Sequence, residues 1–179
     1  MSENAFEWAS CIVYYEDNNA LQNLINDLLN QTIKPSHIYI SDNDSKLSPL
    51  INRNEINITI IKLQKNLGFG AAANTAIKRA IENKYNKFIL FSQDVLLEDT
   101  SCEKMIKQLN LNPGIIFPTM KNRKNNKIFS KGGTINKITG KIKLSTKKVS
   151  KNIVWADGSC LCFDEMTFNL LKGFNEDYF

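Results

Sequence analysis

Blocks of hydrophobic and polar positions along the chain predict strands and helices in the order of an α/β protein. Short runs of β-branched and aromatic residues predict strands at 10–15, 37–41 and 56–63. Between the first two strands, leucine and isoleucine recur at helical spacing over 20–30, and Pro35 ends that pattern. A strand, a helix and two further strands in this order are typical of an α/β fold.

The second half of the chain continues this alternation of elements. Residues 66–83 begin with Gly68 and Gly70 and continue with small side chains, which predicts a helix that closely approaches a neighbour or a ligand. Residues 88–92 are almost wholly apolar, so we expect this strand at the centre of a sheet covered on both faces. The remaining patterns predict a helix at 101–109, strands at 115–118 and 153–163, and a helix at 165–171 ended by Gly173. We therefore expect one α/β domain over residues 1–179, with a mostly parallel central sheet flanked by helices.

Composition narrows the class of protein. The 179 residues are 42% hydrophobic, which is enough for one globular core. No run approaches the roughly 20 apolar residues of a membrane span, and the first residues do not follow a signal-peptide pattern, so we expect a cytoplasmic protein. Four scattered cysteines and the single histidine, His37, argue against a disulfide framework, a Cys/His zinc site and histidine-based nucleophilic catalysis. Cys160 and Cys162 are expected on one face of a strand, as core thiols.

The positive charge is concentrated in one segment. The net charge is +5, but residues 121–151, from Lys121 to Lys151, hold eleven basic residues and no acid, so the rest of the chain is acidic. Such a segment suits a phosphate-bearing substrate, an anionic membrane face or a nucleic acid. It also fits a chain that is rich in lysine and asparagine throughout. Phe129 is its one aromatic residue before Lys151, which argues against stacking on nucleic-acid bases.

Acidic residues follow three of the predicted strands. In an open α/β sheet, ligands bind outside the carboxyl ends of the strands, where carboxylates can hold a divalent cation or accept hydrogen bonds from a nucleoside. For Asp17 and Asp44, a helix cap or a turn is the simpler interpretation. Gly68-Phe69-Gly70 does not complete a dinucleotide fingerprint, because Ala73 occupies the third glycine position. The acids concerned are Glu16, Asp17, Asp42, Asp44 and Asp94.

Three motifs occur in this order along the chain: Asp42-Asn43-Asp44-Ser45, Asn66-Leu67-Gly68-Phe69-Gly70-Ala71-Ala72-Ala73-Asn74 and Ser92-Gln93-Asp94. Together they resemble the motifs of inverting family 2 glycosyltransferases with the GT-A fold, a Rossmann-like nucleotide-diphospho-sugar transferase fold. The segments 155–159 and 173–179 are similar to the acceptor-side strand and the Gly-Phe-Asp-Glu segment of that family. The resemblance thus covers nearly the whole chain. Ser92-Gln93-Asp94 is similar to the motif of rhamnosyltransferase-like members, which favours a dTDP-rhamnose donor.

The resemblance implies a nucleotide-sugar site and a role for each matching residue. Asp42 would accept a hydrogen bond from the pyrimidine base of a dTDP- or UDP-linked sugar, and Asp94 would bind Mg²⁺ or Mn²⁺ on the diphosphate. The segment 66–74 would wrap the ribose and diphosphate. The implied nucleotide-sugar residues are Tyr14, Tyr15, Glu16, Asp42, Asn66, Gly70, Asn74 and Gln93.

Two departures from the family pattern qualify the expected activity. Ser92 replaces the first acid of the metal motif, and the chain ends at Phe179, before the acidic pair that supplies the general base in the family. We therefore expect a domain that lacks its C-terminal part, with Glu176, Asp177 and Asp157 as the candidates for catalysis. The predicted function is transfer of a sugar, with inversion, to a polysaccharide or lipid-linked acceptor at the inner membrane face of a bacterium. The alternatives are a catalytically incomplete nucleotide-sugar-binding domain and, less well supported, a nucleic-acid-binding protein.

Overall fold

The computed structural model describes residues 6–51, 56–147 and 155–178. Five longer strands and four helices make up the body of the described chain, and four short strands lie between the third and fourth helices. In chain order the elements are β1 (Ala9–Tyr14), α1 (Asn18–Leu29), β2 (His37–Asp42), β3 (Asn57–Lys62), α2 (Gly68–Glu82), β4 (Lys87–Ser92), α3 (Ser101–Leu111), β5 (Met120–Lys121), β6 (Ile128–Ser130), β7 (Gly133–Ile135), β8 (Ile142–Leu144), β9 (Cys160–Asp164) and α4 (Glu165–Leu171).

The longer strands form one sheet in the order β3-β2-β1-β4-β9. The first four strands are parallel, and β9 runs antiparallel to β4. The mostly parallel sheet predicted from the sequence is therefore confirmed. The chain adds β2 and β3 on one side of β1 and β4 on the other, so the strand order reverses between β1 and β4. Open α/β sheets bind ligands at such a reversal, at the carboxyl ends of the strands.

Helices cover both faces of the sheet, because successive strand side chains point to opposite sides. On one face, Ile12 and Tyr14 of β1 belong to a cluster with the buried leucines of α1 and with Ile106 of α3. On the other face, Cys11 and Val13 pack with the alanines of α2 and with Phe168 of α4. The predicted strand at 88–92 is central, as expected: β4 lies between β1 and β9, and its residues 88–91 are fully buried.

The cysteines belong to these cores. Cys160 and Cys162 lie in one cluster with Cys102 and Met105, and all four cysteines of the chain are free and buried. Burial raises the pKa of each of these thiols, so the thiols stay protonated at neutral pH. The expectation of core thiols is confirmed.

The segment after α3 differs from the predicted pattern. Instead of a strand at 115–118, Ile116 makes a single antiparallel bridge to Cys162. Pro118, which has no backbone N–H, follows two residues later and prevents a longer ladder. The predicted strand at 153–163 begins only at Cys160, and Trp155 bridges to Gly133 instead. Residues 153 and 154 lie outside the described residues.

The basic segment folds into two small hairpins. β5 pairs with β6, and β7 pairs with β8, each antiparallel. Between 121 and 147, eight of the nine basic residues are exposed; residues 148–151 lie outside the described part of the chain. The described portion of the basic segment is therefore built from two hairpins, and its charge faces solvent.

The single histidine lies far from the carboxyl ends of the strands. His37 is the first residue of β2, its Nε2 lies 2.8 Å from Thr59 Oγ1, and its ring stacks on Tyr39. Burial lowers its pKa, so the ring is neutral at physiological pH. Its position argues for a structural role.

Within the described residues, no helix has the length and apolar character needed to cross a membrane.

Candidate functional site

The carboxyl edge of the sheet begins at Tyr14 and Asp42, the last residues of β1 and β2. They are partners in the parallel register, and both are buried: Tyr14 is 0% exposed and Asp42 1%. The Tyr14 hydroxyl donates to the Leu47 carbonyl over 2.8 Å. Burial, followed by the nearby Asp42 charge, raises the pKa of Tyr14, so its hydroxyl remains a donor. The loop after β2 is thereby attached to β1.

Asp42 has one satisfied and one unsatisfied carboxylate oxygen. Oδ1 accepts a hydrogen bond from the Ser45 N–H over 2.9 Å, whereas Oδ2 is buried without a partner among the described residues. Four other buried polar atoms share this property, but they are neutral: Trp8 Nε1, Ser10 Oγ, Asn26 Oδ1 and Ser41 Oγ. An unpaired buried charge is far more costly than an unpaired hydroxyl. Asp42 Oδ2 is therefore an acceptor that a donor from outside the described chain would satisfy.

Glu16 and Asp44 shape the loops beside Asp42. Both have left-handed backbone conformations, with φ of 62° and 65°. The Glu16 N–H donates to Ser45 Oγ over 3.0 Å, and Glu16 Oε1 accepts from the Lys46 N–H over 2.9 Å. The implied base-pocket residue Glu16 thus holds the loop at 45–46. Asp17 caps α1 by accepting from the Ala20 N–H, as its position in the sequence suggested.

The Gln93 side chain spans the gap between the ends of β1 and β4, where the strand order reverses. Its side-chain amide makes two hydrogen bonds to the Tyr15 backbone: the Tyr15 N–H donates to Oε1 over 2.6 Å, and Nε2 donates to the Tyr15 carbonyl over 2.8 Å. Tyr15 is 48% exposed. Gln93 therefore fixes the main chain after β1 relative to β4, which leaves the Tyr15 side chain free for a ligand.

Asp94 belongs to a chain of hydrogen bonds at the ends of β4 and β9. It is exposed, and its Oδ1 accepts from Ser92 Oγ over 2.6 Å. The Ser92 N–H donates to the Ser159 carbonyl over 2.8 Å, and both the N–H and the hydroxyl of Ser159 donate to Asp157 Oδ1. The candidate metal ligand Asp94 and the candidate catalytic acid Asp157 are thus linked through two serines.

Asn43 connects the edge to the start of α2. Its Nδ2 donates to Asn66 Oδ1 over 2.8 Å, and its Oδ1 accepts from the Leu67 N–H over 2.9 Å. Asn66 Oδ1 also accepts from the Gly68 N–H. No separate role for Asn43 was predicted from the sequence. A short amide side chain directly after a strand that ends at this edge was the available signal.

Gly70 and Asn74 contact the C-terminal segment at 173–176. Asn74 is 2% exposed; its Oδ1 accepts from the Phe174 N–H over 2.8 Å, and its Nδ2 donates to the Phe174 carbonyl over 2.8 Å. A Cβ on Gly173, whose φ is +74°, would lie 2.7 Å from Asn74 Oδ1. A Cβ on Gly70 would lie 3.0 Å from the Asn175 carbonyl oxygen. The close neighbour predicted for this helix is therefore the chain's own C-terminal segment, and a ligand role for Gly70 and Asn74 stays a prediction.

Of the two C-terminal acids, Glu176 contacts residues of α2, whereas Asp177 bonds within its own segment. Glu176 Oε1 accepts from Asn74 Nδ2 over 2.7 Å and lies 3.7 Å from Lys78 Nζ. The Asp177 N–H donates to Asn175 Oδ1. The candidate site residues thus fall into three groups. These are the loops beside Asp42, the hydrogen-bonded chain that links Asp94 to Asp157, and the contact between Asn74 and Glu176.

No group of three or more His, Cys, Asp or Glu side chains that could hold a metal occurs in residues 6–51, 56–147 and 155–178. Asp94 therefore stands as one exposed carboxylate. Mg²⁺ is often bound by one or two protein carboxylates together with substrate phosphates. The arrangement fits a cation held jointly with a phosphate ligand and does not fit a metal cage built from protein alone.

The sheet order, the antiparallel β9 and the polar carboxyl edge define a GT-A type of α/β domain. Residues 10–164 match the family model described as Glycosyl transferase family 2, and the chain belongs to that family. No curated protein matches the chain significantly.

Solved structures of low identity share the fold. S. aureus TarS 1-349 superposes with a TM-score of 0.71 at 14% identity, covering 96% of this chain and 51% of that one. The mannosyltransferase PcManGT from Pyrobaculum calidifontis, in complex with GDP-Man and Mn²⁺, gives a TM-score of 0.61 at 13% identity, covering 96% and 48%. TarS 1-349 in complex with UDP-GlcNAc gives 0.56 at 15% identity, covering 68% and 36%. The chain thus spans about half the length of the first of these proteins.

Asn74→Ala should loosen the C-terminal segment. The substitution leaves the Phe174 N–H and carbonyl without their partner, so we expect a loss of about 1–3 kcal/mol in the free energy of unfolding. Urea denaturation measures that loss, and chymotrypsin cleavage after Phe174 should become faster. Asn19→Ala on the exposed side of α1 is the control. Cleavage at the parent rate in Asn74→Ala would contradict the proposed attachment of this segment.

Proposed function

We propose that this domain is a glycosyltransferase that moves a sugar, with inversion, from a nucleoside diphosphate to a polysaccharide or lipid-linked acceptor. Membership of glycosyl transferase family 2 supports this class of reaction. The observation that carries the proposal is Asp42, whose buried Oδ2 lacks a partner among the described residues at the carboxyl edge of the sheet. An N–H group of the nucleotide base would supply the missing donor.

The base chemistry favours a UDP- or dTDP-linked donor over an ADP-linked one. Uracil and thymine carry an N3–H that can donate to a carboxylate, whereas adenine has no N–H at its ring nitrogens. The exposed Tyr15 ring is available to cover the base, and Gln93 holds the backbone beneath that ring. The similarity of Ser92-Gln93-Asp94 to rhamnosyltransferase-like members extends the proposal to dTDP-rhamnose.

Asp94 is the residue proposed to hold Mg²⁺ or Mn²⁺ together with the donor diphosphate. Such a cation would neutralise the charge that develops on the departing diphosphate. Ser92 donates to Asp94 Oδ1 and so orients the carboxylate. PcManGT was solved with GDP-Man and Mn²⁺, which is consistent with a cation in this fold.

Of the candidate catalytic acids, Asp157 is the one that hydrogen bonds link to Asp94, through Ser159 and Ser92. We therefore place the acceptor hydroxyl on the β9 side of Asp94. Glu176 instead interacts with Asn74 and Lys78 on α2, where it supports the C-terminal segment. Asp177 remains the third candidate for catalysis.

A catalytically incomplete nucleotide-sugar-binding domain is the second candidate function. It is favoured by Ser92, which stands where the family motif has an acid, and by the single carboxylate at the metal position. Release of free nucleoside diphosphate from dTDP- and UDP-sugars distinguishes the two. Release that rises when a bacterial acceptor extract is added supports the transferase. Nucleotide binding without such release supports the incomplete domain.

We extend the proposal to a cytoplasmic location, with peripheral contact to an anionic membrane through 121–151. The eight exposed cations between 121 and 147 support this contact, because each basic residue near an anionic surface contributes about 1 kcal/mol. Phe129 is the single aromatic residue of this segment, so a nucleic-acid partner is not part of the proposal.

Asp42→Asn should weaken pyrimidine nucleotide binding. The amide keeps the side-chain shape, but it lacks the charge and can present an N–H to the base N–H, so UDP and dTDP affinity should fall by about 1.5–3 kcal/mol. Isothermal titration calorimetry measures the change. Asp44→Asn, at an exposed position whose φ of 65° suits asparagine, is the matched control. Unchanged affinity in Asp42→Asn would remove Asp42 from the base site.

Asp94→Asn should abolish the contribution of Mn²⁺ while leaving the fold and metal-free nucleotide binding intact. The cation loses the one charged ligand proposed for it among the described residues, and an exposed side chain contributes little to stability. Calorimetry of UDP with and without Mn²⁺ gives the metal-dependent part directly. Asp99→Asn, another exposed acid after β4, should keep that part. A mutant with the full Mn²⁺ effect would show that the cation binds elsewhere.

A further inference from the structure

A cleft of about 770 Å³ adjoins the end of β4 that carries Asp94. This volume lies in the range of small-molecule binding sites. Its walls are the segment 94–98, one side of α3, and the segment 116–123, which includes β5. Asp94 and Ser159 line it, so the cleft shares residues with the proposed metal and acceptor positions.

Hydrogen bonds to the body of the domain fix the cleft walls. The Leu97 N–H donates to Asp27 Oδ2 over 2.8 Å, and Gln31 Nε2 donates to the Glu98 carbonyl over 3.0 Å. On the opposite wall, Ile116 exchanges two backbone hydrogen bonds of 2.8 Å with Cys162 of β9. The backbone of both cleft walls is therefore attached to the body of the domain.

The lining combines apolar side chains with basic ones. The apolar part includes Leu96, Met105, Ile116, Phe117 and Met120, and the basic part consists of Lys104, Lys121 and Arg123. Two acids, Asp94 and Glu98, also line it. The basic hairpins continue the positive charge beyond Lys121. An apolar surface beside clustered cations is complementary to an amphiphile with an anionic end.

One ion pair joins the two walls. Lys121 Nζ lies 2.6 Å from Glu98 Oε1, and the side chains are 42% and 66% exposed. The hydrogen bond and the charge of Lys121 lower the pKa of Glu98, so the pair is ionised at neutral pH. Exposed pairs of this kind are weak. An entering anion can therefore take Lys121 from Glu98 at small cost.

We propose that this cleft binds the phosphate end of a lipid-linked acceptor. The phosphate contacts Lys104, Lys121 and Arg123, and the first hydrocarbon units of the lipid lie on the apolar lining. The acceptor sugar then extends towards Asp94. Calling the ligand an acceptor rests on the proposed function, whereas recognition of a lipid phosphate rests on the cleft alone.

Farnesyl phosphate, used below its micelle concentration, is the probe. By calorimetry it should bind at least roughly ten-fold more tightly than either farnesol or inorganic phosphate, because each of these lacks one half of the recognition. Lys121→Gln should weaken it roughly ten-fold, and Glu98→Gln should tighten it by removing the competing carboxylate. Lys137→Gln, between β7 and β8 and outside the cleft lining, is the matched control.

Equal binding of farnesol, or equal binding of inorganic phosphate, would overturn the proposal; the second result would point to a phosphorylated glycan. Unchanged affinity in both Lys121→Gln and Glu98→Gln would also overturn it. The nucleotide titrations are separate. Farnesyl phosphate binding without UDP or dTDP binding contradicts the proposed transferase and leaves the cleft assignment intact, and the reverse result contradicts only the cleft.

Discussion

The buried carboxylate of Asp42 is the constraint on which the carboxyl edge depends. β2 ends at Asp42, and in the parallel register with β1 the partner of Asp42 is Tyr14. The loop that follows returns over the carboxylate, held by Ser45, by the Tyr14 hydroxyl and by Glu16. These bonds fix the loop and satisfy one Asp42 oxygen. A ligand that donates to the other oxygen would meet a preorganised acceptor. Its binding would therefore cost little conformational entropy in the loop.

The same sheet sets the relation between the proposed base site and the proposed metal site. Asp42 ends β2 and Asp94 follows β4, and β1 lies between these strands. Gln93 binds the Tyr15 backbone across the gap, and Ser92 binds Ser159 on the far side. A nucleoside diphosphate could therefore be recognised at its base by one strand end and at its phosphates by another. The adjoining cleft would bring the acceptor from the β9 side.

Local patterns predicted much of this architecture. The apolar strand at 88–92 and the helix at 165–171 were recognised because burial and helix-ending residues are visible in a few neighbouring positions. Asp42 and Asp94 stood out because each follows such a strand. The attachment of Asn74 to Phe174 joins residues 100 apart, so no local pattern contains it. The short hairpins at 120–144 have few buried side chains, and their pairing depends on polar turns.

The central claim is that the carboxyl edge binds a pyrimidine nucleoside diphosphate together with a divalent cation. Its most direct test is a thermal-shift series on the parent chain with UDP, dTDP and ADP, each with Mn²⁺ and with EDTA. A ligand at ~100 times its Kd adds roughly 2.7 kcal/mol to stability. UDP and dTDP should raise the Tm, and Mn²⁺ should increase the shift, while ADP should leave the Tm nearly unchanged. A shift by ADP equal to that by UDP, or no shift by any of the three, would contradict the account.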